Sequence, residues 1–412
     1  MDILKVRDAK DVEQAVRAAI EGEQPVEIIG HGSKRRIGQP MATNALLDLQ
    51  ALNAVASYEP SELIITVQAG APLADVISLI DAKNQHFAFE PVDTAALLGM
   101  PNIGTVGGMI GAGLAGPRRI QAGGARDHLL GAHAVSGFGD SFKAGGRVVK
   151  NVTGYDLCKL LAGSWGTLAV MTEVTLKVMP KPECVRTLVL RGLDDVSANR
   201  AMTMALGSPF DVSGAAHLPH SAFRGDVGGL AELGSGREPV TLLRLEGIAA
   251  SASHRAAALG ERLLPFGLGE ILGDAASDAI WRAIKDVQPF AADGPLGAWP
   301  VWRIICPPAG GGALGEALAR ATGGDVIYDW GGGLIWAAVP PRPDAQAALL
   351  RPQVDQAGGH AMLFRATEEV RSAIDVFHPQ PAGLAGLNER VRHGFDPKRI
   401  LNRGRLARSS PA

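Results

Sequence analysis

The chain has 412 residues, enough for more than one domain, and 46% of them are hydrophobic while 20% are charged. Such a composition can bury a large core, which excludes a wholly disordered chain. Forty basic residues against 42 acidic ones give a net charge of -2, and only 5% of residues are aromatic. This balance argues against nucleic-acid binding, which favours a basic surface and base-stacking aromatic rings. The 52 glycines are in excess and indicate close backbone approaches, because glycine is otherwise unfavourable in folded chains.

Three sequence features restrict the cellular location expected for this chain. Cys158, Cys184 and Cys306 lie far apart and form no CxxC pair, so we expect isolated reduced thiols in a cytoplasmic protein. The N-terminus mixes charges with no apolar stretch behind them, and we expect no signal peptide. Residues 94–117 are uncharged but contain seven glycines and few large aliphatic side chains, which favours a buried glycine-rich loop system over a membrane span.

Helix and strand signals alternate in the first third of the chain and predict an α/β arrangement there. Apolar residues at helical spacing predict a helix over 11–20, and apolar runs predict strands at 25–29 and 63–67. From Leu168 the spacing changes to period two, which predicts a long strand. The run Met179-Pro-Lys-Pro182 punctuates the chain, and we place a domain boundary there.

Beyond that boundary, strand-like and helical runs alternate and predict a second domain of α/β or α+β type, with no internal repeat evident. The tail from Phe377 to Leu406 predicts a short helix and then an extended end. The strands predicted for the second domain are 187–190, 240–245, 301–305, 325–328 and 334–339, and the helices are 195–206, 250–264, 276–287, 313–321 and 344–357.

Three glycine-rich blocks are the strongest candidates for chemistry. The first, residues 30–38, follows an apolar strand and could present backbone N–H groups to a phosphate, with Lys34 adding positive charge. It is neither a Walker A loop nor a GxGxxG turn. The second covers residues 101–113 with more glycines than turns require, and the third, residues 163–173, leads into a strand. Together the blocks predict a nucleotide cofactor spread over several loops.

Five blocks, by their order and spacing, resemble the FAD-binding domain of the vanillyl-alcohol oxidase (PCMH-type) flavoprotein family. They are Gly30–Ser33, Gly104-Thr-Val-Gly-Gly108, Arg126-Asp-His-Leu-Leu-Gly131, Gly154-Tyr-Asp-Leu-Cys-Lys-Leu160 and Gly163-Ser-Trp-Gly-Thr-Leu168. The resemblance implies an α+β fold with a two-lobed PCMH-type FAD-binding domain in residues 1–182. It further implies a smaller α/β (ferredoxin-like) cap domain in 183–375 and a tail, 376–412, that returns to the FAD domain. The implied FAD-binding residues are Gly30, His31, Gly32, Ser33, Lys34, Gly38, Pro101, Asn102, Gly104, Thr105, Gly107, Gly108, Gly111, Leu114, Arg118, Asp127, Gly163, Gly166, Thr167 and Val170.

Within the family, the chain is similar to the E subunits of bacterial glycolate oxidases (glycolate dehydrogenases). Arg403 departs from the proline common in their tail, and His31 from the glycine common in their first loop. Some family members attach FAD covalently through a loop histidine, but Ser33 stands at that position here, so the implied FAD is non-covalent. The similarity to the E subunits lies in residues 111–119, 328–333, 377–379 and 395–402.

The resemblance implies hydride transfer from glycolate to FAD, giving glyoxylate. The partners would be a paralogous FAD-containing catalytic subunit and an iron–sulfur subunit that takes the electrons. A cytoplasmic location follows, with contact to the inner face of the membrane at most through those partners. Catalytic residues stay unassigned, and no metal site is expected because the later histidines, among them His217 and His220, lack metal-type spacing and are expected to face solvent. Two alternatives remain: a self-sufficient FAD oxidase or dehydrogenase of another 2-hydroxy acid or alcohol, and a non-catalytic scaffold that keeps the flavoprotein fold.

Overall fold

Two main sheets form the first part of the chain in the computed structural model, which describes residues 2–41, 43, 45–146, 154–224, 227–233 and 238–407. One is a parallel sheet of three strands, and the other an antiparallel sheet of five. The elements of this part are β1 (Asp2–Lys5), α1 (Ala9–Glu21), β2 (Val26–Ile29), β3 (Ala45–Asp48), β4 (Val55–Glu59), β5 (Ile64–Gln68), α2 (Leu73–Asp81), β6 (Gln85–His86), α3 (Ala95–Leu98), α4 (Val106–Ala112), α5 (Arg119–Ala122), α6 (Ala125–His128), β7 (Leu129–Ser136), β8 (Ser141–Gly145), α7 (Cys158–Leu161), β9 (Ala169–Lys177) and β10 (Met179–Pro180).

The three-stranded sheet has the order β1-β3-β2 and is covered by α1. The predicted helix over 11–20 is confirmed by α1, which begins after Asp8, whose carboxylate accepts a hydrogen bond from the N–H of Asp11 (2.9 Å). The buried face of α1 carries Val12 and Val16, which share a core with Leu47 of β3. This packing leaves the loop after β2 free to face the second sheet.

The five-stranded sheet has the order β4-β5-β9-β7-β8, and the predicted period-two strand is β9 at its centre. Helices α2 and α4 contribute to the core of this sheet. The segment 94–117, expected as loops, contains the short helices α3 and α4, so that prediction was wrong in part. No helix in the described parts of the chain is long and apolar enough to cross a bilayer.

The second part of the chain forms one antiparallel sheet of eight strands, ordered β14-β11-β13-β12-β16-β17-β15-β18. The strands and helices predicted for this part are confirmed, while β12, β14 and β18 were not predicted. Its elements, with the helices that follow the sheet, are β11 (Cys184–Arg191), α8 (Asp195–Leu206), β12 (Val212–Leu218), β13 (Val240–Gly247), α9 (Ala249–Arg262), β14 (Glu270–Leu272), α10 (Asp274–Lys285), β15 (Val301–Ile305), α11 (Gly311–Thr322), β16 (Asp325–Asp329), β17 (Leu334–Ala338), α12 (Ala347–Gln356), β18 (His360–Arg365), α13 (Glu368–Ala373) and α14 (Ala382–Phe395).

This sheet is a structural duplication. The elements β11-α8-β12-β13-α9-β14 and β15-α11-β16-β17-α12-β18 are two βαββαβ units of the ferredoxin-like type, joined where β12 pairs with β16 through His217 and Tyr328. The sequence shows no internal repeat, so the duplication is a finding of the structure. The boundary predicted near residue 182 falls between β10 and β11, and the domain division stays a prediction.

The two faces of the eight-stranded sheet pack against different partners, because successive side chains of a strand point to opposite faces. Leu188 and Leu190 belong to the core under α8 and α9, while Val189 between them lies on the face that α10 covers. In the second unit, Ile335 packs with α11 and α12, and its neighbour Trp336 faces the first part. One face of the sheet therefore carries a helical layer, while the other carries α10 in the first unit and meets the first part of the chain in the second unit.

The C-terminal tail returns to the three-stranded sheet. After α14, which is fourteen residues long rather than short, the N–H of Val26 donates to the carbonyl of Ile400 (2.9 Å). The N–H of Asn402 donates back to the carbonyl of Val26 (3.0 Å). Residues 408–412 of the predicted tail lie outside the described residues.

Candidate cofactor site

One cleft collects residues from four separate segments: the loop after β2, the helix α4, the turn before β9 and the C-terminal tail. Its empty space measures about 760 Å³, which includes open solvent at its mouth. The predicted residues that line it are Gly30, His31, Gly32, Ser33, Lys34, Thr105, Gly107, Gly108, Gly111 and Gly166. The other residues that line it are Glu27, Ile28, Ile29, Arg35, Leu49, Ala69, Ala112, Trp165, Ala169, Met171, Asn402 and Arg405.

The loop after β2 presents a run of unpaired backbone donors to this cleft. Within the described residues, the N–H groups of residues 30–34 form no hydrogen bond, whereas the N–H of Arg35 donates to the carbonyl of Gly32 (3.1 Å). Gly32 has a positive φ of 71°, which turns the chain there. Successive free N–H groups in a turn form an anion-binding concavity. The loop can therefore bind a phosphate through its backbone.

Two cations border the same cleft, and neither forms an ion pair with a described acidic side chain. The ammonium of Lys34 donates to the hydroxyl of Ser33 (3.3 Å) and the carbonyl of Ile103 (3.2 Å), and burial lowers its pKa to about 8. Arg405 donates to the carbonyl of Lys34 (2.5 Å), but its Nε has no partner among the described residues, and burial lowers its pKa to about 10. Because an unpaired charge away from water is unfavourable, both cations favour an anionic ligand.

The second glycine block offers a bare surface rather than donors. The N–H groups of Gly107 and Gly108 are already used: they donate to the carbonyl of Ala69 (2.7 Å) and the hydroxyl of Thr105 (3.2 Å). A ligand beside α4 would therefore contact its backbone face by packing. This differs from the first loop, whose donors are free.

The glycines of α4 fall into two groups. A Cβ on Gly107 would lie 2.8 Å from the carbonyl oxygen of Ala69, so the fold itself requires glycine there. A Cβ on Gly108 would meet only Thr105 Oγ1 at 3.4 Å, and one on Gly111 only a methionine methyl at 3.8 Å. A glycine inside a helix is less stable than alanine by roughly 0.5–1 kcal/mol. A ligand packed against α4 would explain why Gly108 and Gly111 are glycine.

Sequence reasoning missed three residues that close the cleft. Trp165 has a left-handed backbone (φ 54°), which is strained for a bulky residue and often marks a functional position. Asn402 joins the tail to the cleft: its amide donates to the carbonyl of Trp165 (2.7 Å) and accepts from the N–H of Ile28 (2.7 Å). The guanidinium of Arg405 lies 5.6 Å from the Trp165 ring centroid. The matching tail block ends at Asn402 and could have indicated it, but no pattern in the sequence points to Arg405.

Five predicted residues support the walls of the cleft without lining it. Gly104 packs against the first loop, where a Cβ would overlap the Ser33 hydroxyl. A Cβ on Gly38 would lie 3.0 Å from the carbonyl oxygen of Arg405, so this glycine lets the tail approach. The supporting residues are Gly38, Gly104, Gly163, Thr167 and Val170, the last with its side chain in the core under the three-stranded sheet.

The remaining five predicted residues do not line this cleft, and their role in FAD binding stays a prediction. Leu114 is buried in the core against the eight-stranded sheet. The carboxylate of Asp127 accepts from the N–H of Gly124 (2.8 Å) and so holds the start of α6. Pro101 and Asn102 precede α4 and do not line the cleft.

Arg118, the fifth, belongs to an ion-pair network between the two parts of the chain. Its guanidinium donates to Glu246 (Nε to Oε2, 3.0 Å) and lies 2.9 Å from a ring nitrogen of His86, and its N–H donates to Glu90 (2.6 Å). Glu90 also accepts from Arg244 (2.8 Å). Burial alone would raise the pKa of Glu90, but Arg244 and Arg118 lower it to about 2. Arg118 is therefore occupied by carboxylates and not free to bind a phosphate.

The later histidines form no metal-type cluster in the described parts of the chain. His217 was expected to face solvent, and this was wrong: its side chain is fully buried in β12, 3.0 Å from the Thr241 hydroxyl. His220 is exposed just after that strand. No group of three or more His, Cys, Asp or Glu side chains suited to a metal occurs in the described residues.

Comparison with known proteins agrees with this geometry. Residues 3–145 match the FAD binding domain family. The whole fold is similar to the crystal structure of p-cresol methylhydroxylase, with a TM-score of 0.69 at 15% identity, covering 99% of this chain and 88% of that one. The predicted α+β, PCMH-type fold is confirmed. The chain is a flavoprotein and an FAD-dependent oxidoreductase with a PCMH-type FAD-binding domain.

Two relatives of this chain are glycolate oxidase subunits. The chain is 29% identical to glycolate oxidase subunit GlcE of Escherichia coli (strain K12) over 401 residues, 95% of each chain. It is 30% identical to glycolate oxidase subunit GlcD of Bacillus subtilis (strain 168) over 188 residues, which are 45% of this chain and 38% of that one. The resemblance predicted from the sequence is therefore confirmed.

Proposed function

We propose that the chain is the FAD-binding subunit of a complex that oxidises glycolate to glyoxylate and passes the electrons to an iron–sulfur subunit. One observation carries the proposal. A cleft with five free backbone N–H groups and two cations that form no ion pair with a described residue lies in a chain similar to a glycolate oxidase subunit along 95% of its length. The similarity to GlcD over 45% of the chain supports a paralogous flavin subunit as partner.

The residues of the cleft suit FAD, which carries two phosphates. The free N–H groups of residues 30–34, with Lys34 and Arg405, would hold the negative charge. The bare face of α4 at Gly108 and Gly111 would pack against the cofactor. When bound, FAD supplies hydride-accepting chemistry, while the protein supplies position and electrostatics. The FAD is proposed to be non-covalent because Ser33 offers a hydroxyl where an attaching histidine would stand.

Electrons that leave this chain need an acceptor. The three cysteines are free and buried, and they lie far apart in the sequence, so they offer no paired thiolates for a cluster. An iron–sulfur partner is therefore part of the proposal, as is a cytoplasmic location with contact to the inner face of the membrane only through partners. The division into residues 1–182, 183–375 and 376–412 is retained as the proposed domain organisation.

Expression of the chain alone and together with its genomic neighbours tests the proposal. Glycolate-dependent dye reduction per flavin should be low for the chain alone and should rise in the co-purified complex. Equal specific activity in both preparations would contradict the subunit role and favour a self-sufficient dehydrogenase. A colourless chain that binds no FAD would favour the scaffold alternative.

A further inference from the structure

Two arginines from different parts of the chain share one indole ring. The guanidinium carbon of Arg119, at the start of α5, lies 4.4 Å from the ring centroid of Trp330. That of Arg303, on β15, lies 5.2 Å from the same centroid and 5.9 Å from the centroid of Trp336. The Trp330 indole N–H donates to the carbonyl of Gly116 (2.9 Å), which ties the eight-stranded sheet to the segment after α4. The two cations therefore meet where the sheet faces the first part of the chain.

Neither guanidinium forms a hydrogen bond or an ion pair with any described residue. Asp329 is the nearby carboxylate, but its Oδ1 accepts from the N–H of Trp330 (2.7 Å), and burial raises its pKa to about 7. Burial lowers the pKa of Arg303 to about 10, and the positive charge of Arg119 acts in the same direction. The pair thus places two like charges beside one indole ring without an ion-paired carboxylate.

Another arginine at the same interface stacks on tryptophan and also pairs with a carboxylate. Arg244 also lies over an indole, 4.7 Å from the centroid of Trp281. Its guanidinium is held by Glu90 (2.8 and 3.0 Å). Arg119 and Arg303 stack on Trp330 without a described carboxylate, as Arg351 does on Trp302 and Arg405 does on Trp165. Unlike Arg351 and Arg405, which donate to backbone carbonyls, Arg119 and Arg303 form no hydrogen bond with a described residue.

The surroundings of the pair restrict what could supply the missing negative charge. Trp336 and Met362 border Arg303 on the neighbouring strands, and His360 stands at the start of β18 on the same face of the sheet. Aromatic and apolar walls exclude water and strengthen a charge-assisted hydrogen bond. Trp165, which lines the cofactor cleft, packs against the same core as Trp336. The arginine pair and the cleft therefore border the same hydrophobic core.

We propose that Arg119 and Arg303 bind the carboxylate of a small organic acid beside Trp330. Guanidinium groups match a carboxylate with paired N–H donors, and two of them neutralise one carboxylate with charge to spare. This carboxylate site extends the proposed function. Only the identification of the bound acid as the substrate rests on that function. It also gives the chain a group that could orient a hydroxy acid, which the sequence did not reveal.

The test measures binding of oxalate to the FAD-loaded chain by calorimetry. Oxalate carries carboxylates but no C–H bond that could be oxidised, so binding is measured without turnover. Arg119→Gln and Arg303→Gln should each weaken oxalate binding at least about tenfold, as expected for the loss of a charge-assisted hydrogen bond. The double variant should lose less than the sum, because both side chains hold the same ligand.

Arg320→Gln is the matched control. It removes the same charge from α11 on the opposite face of the sheet, where the side chain is 76% exposed, and oxalate affinity should not change. Arg119 is exposed, so Arg119→Gln keeps the test valid if Arg303→Gln does not fold.

Three results would overturn the inference: no oxalate binding by the wild-type chain, unchanged affinity in Arg119→Gln, or loss of FAD from that variant. The last result would show that the arginine serves the phosphates of the cofactor. These outcomes are separate from the proposed function, because glycolate-dependent dye reduction by the complex is measured independently of oxalate binding.

Discussion

Replacing Gly108 tests whether α4 is a cofactor surface or an ordinary helix. In the folded chain a Cβ at this position meets only Thr105 Oγ1 at 3.4 Å, and the residue is exposed on the wall of the cleft. Gly108→Ala should therefore stabilise the FAD-free chain by about 0.5–1 kcal/mol, since alanine is the better helix former. The same methyl group would occupy the space that a bound cofactor needs.

The expected effect on FAD follows from the size of the intrusion. Forcing an added methyl group into a well-packed contact is unfavourable by about 1–3 kcal/mol, which corresponds to a roughly 5- to 150-fold higher Kd. Gly108→Val adds a larger, β-branched side chain and should abolish FAD binding while the chain stays folded. Stability and affinity should thus change in opposite directions in Gly108→Ala.

Flavin-fluorescence titration of the FAD-free chain gives the affinity, and urea unfolding gives the stability. Gly386→Ala in α14 is a matched control, because its Cβ would meet only Arg390 Nη1 at 3.8 Å and the residue does not line the cleft. Gly107→Ala is the opposite control and should destabilise the chain with or without FAD. Full FAD affinity in Gly108→Val would refute a cofactor surface on α4.

Three further experiments probe the flavin linkage, Lys34 in the cleft and Arg118 outside it. Acid precipitation of the purified chain should leave the flavin in the supernatant, because Ser33 offers no histidine for attachment; flavin in the pellet would contradict this. Lys34→Met should weaken FAD binding at least about tenfold yet stabilise the FAD-free chain at pH 7, since it removes a desolvated charge without an ion-pair partner. The pKa of Lys34 is about 8 in the folded chain and 10.5 in the unfolded chain, so the unfolded chain binds more protons between these pH values. The FAD-free wild type should therefore gain stability relative to Lys34→Met as the pH rises from about 8 to 10.5. A stability difference that stays constant over this range in paired urea titrations would refute the prediction. Arg118→Met should leave Glu246 buried with one cation fewer and lower the free energy of unfolding by about 3–5 kcal/mol, with the FAD affinity of the folded fraction unchanged in the flavin titration.

The glycine loops could be predicted because their signal is local. A strand that ends in Gly30 and Gly32 places free N–H groups within one turn, and this depends on no distant residue. The ion pair of Arg118 could not be predicted, for the opposite reason. An arginine after a glycine-rich block resembles a phosphate ligand, but its partner Glu246 lies 128 residues further along the chain. The contribution of Arg405 depends on the tail returning to the sheet, which no local pattern encodes.

The strand β12 shows a second limit of periodicity. All seven of its residues are buried, because it lies inside the sheet and the sheet is packed on both faces. A strand buried on both faces has no alternation of polar and apolar residues. The segment therefore gave no strand signal, and His217 was expected at the surface. The duplication could not be predicted either, because β12 is needed to complete the first βαββαβ unit.

The duplication also bears on where a substrate can bind. In the first unit, α10 covers the face of the sheet that is turned toward the first part of the chain, and the Trp281 indole N–H donates to the Thr187 hydroxyl of β11 (2.9 Å). In the second unit the corresponding face carries Trp336 and Arg303 and meets the segments around α3 and α4 instead. A sheet with helices on one face must bury its other face, and the two units do so with different partners. The first unit covers this face with its own helix α10. The second unit covers it with the first part of the chain, which contains most of the cofactor cleft. We therefore expect a substrate to bind between the two parts of the chain at the second unit. There Arg303 faces the first part of the chain without an ion-pair partner among the described residues.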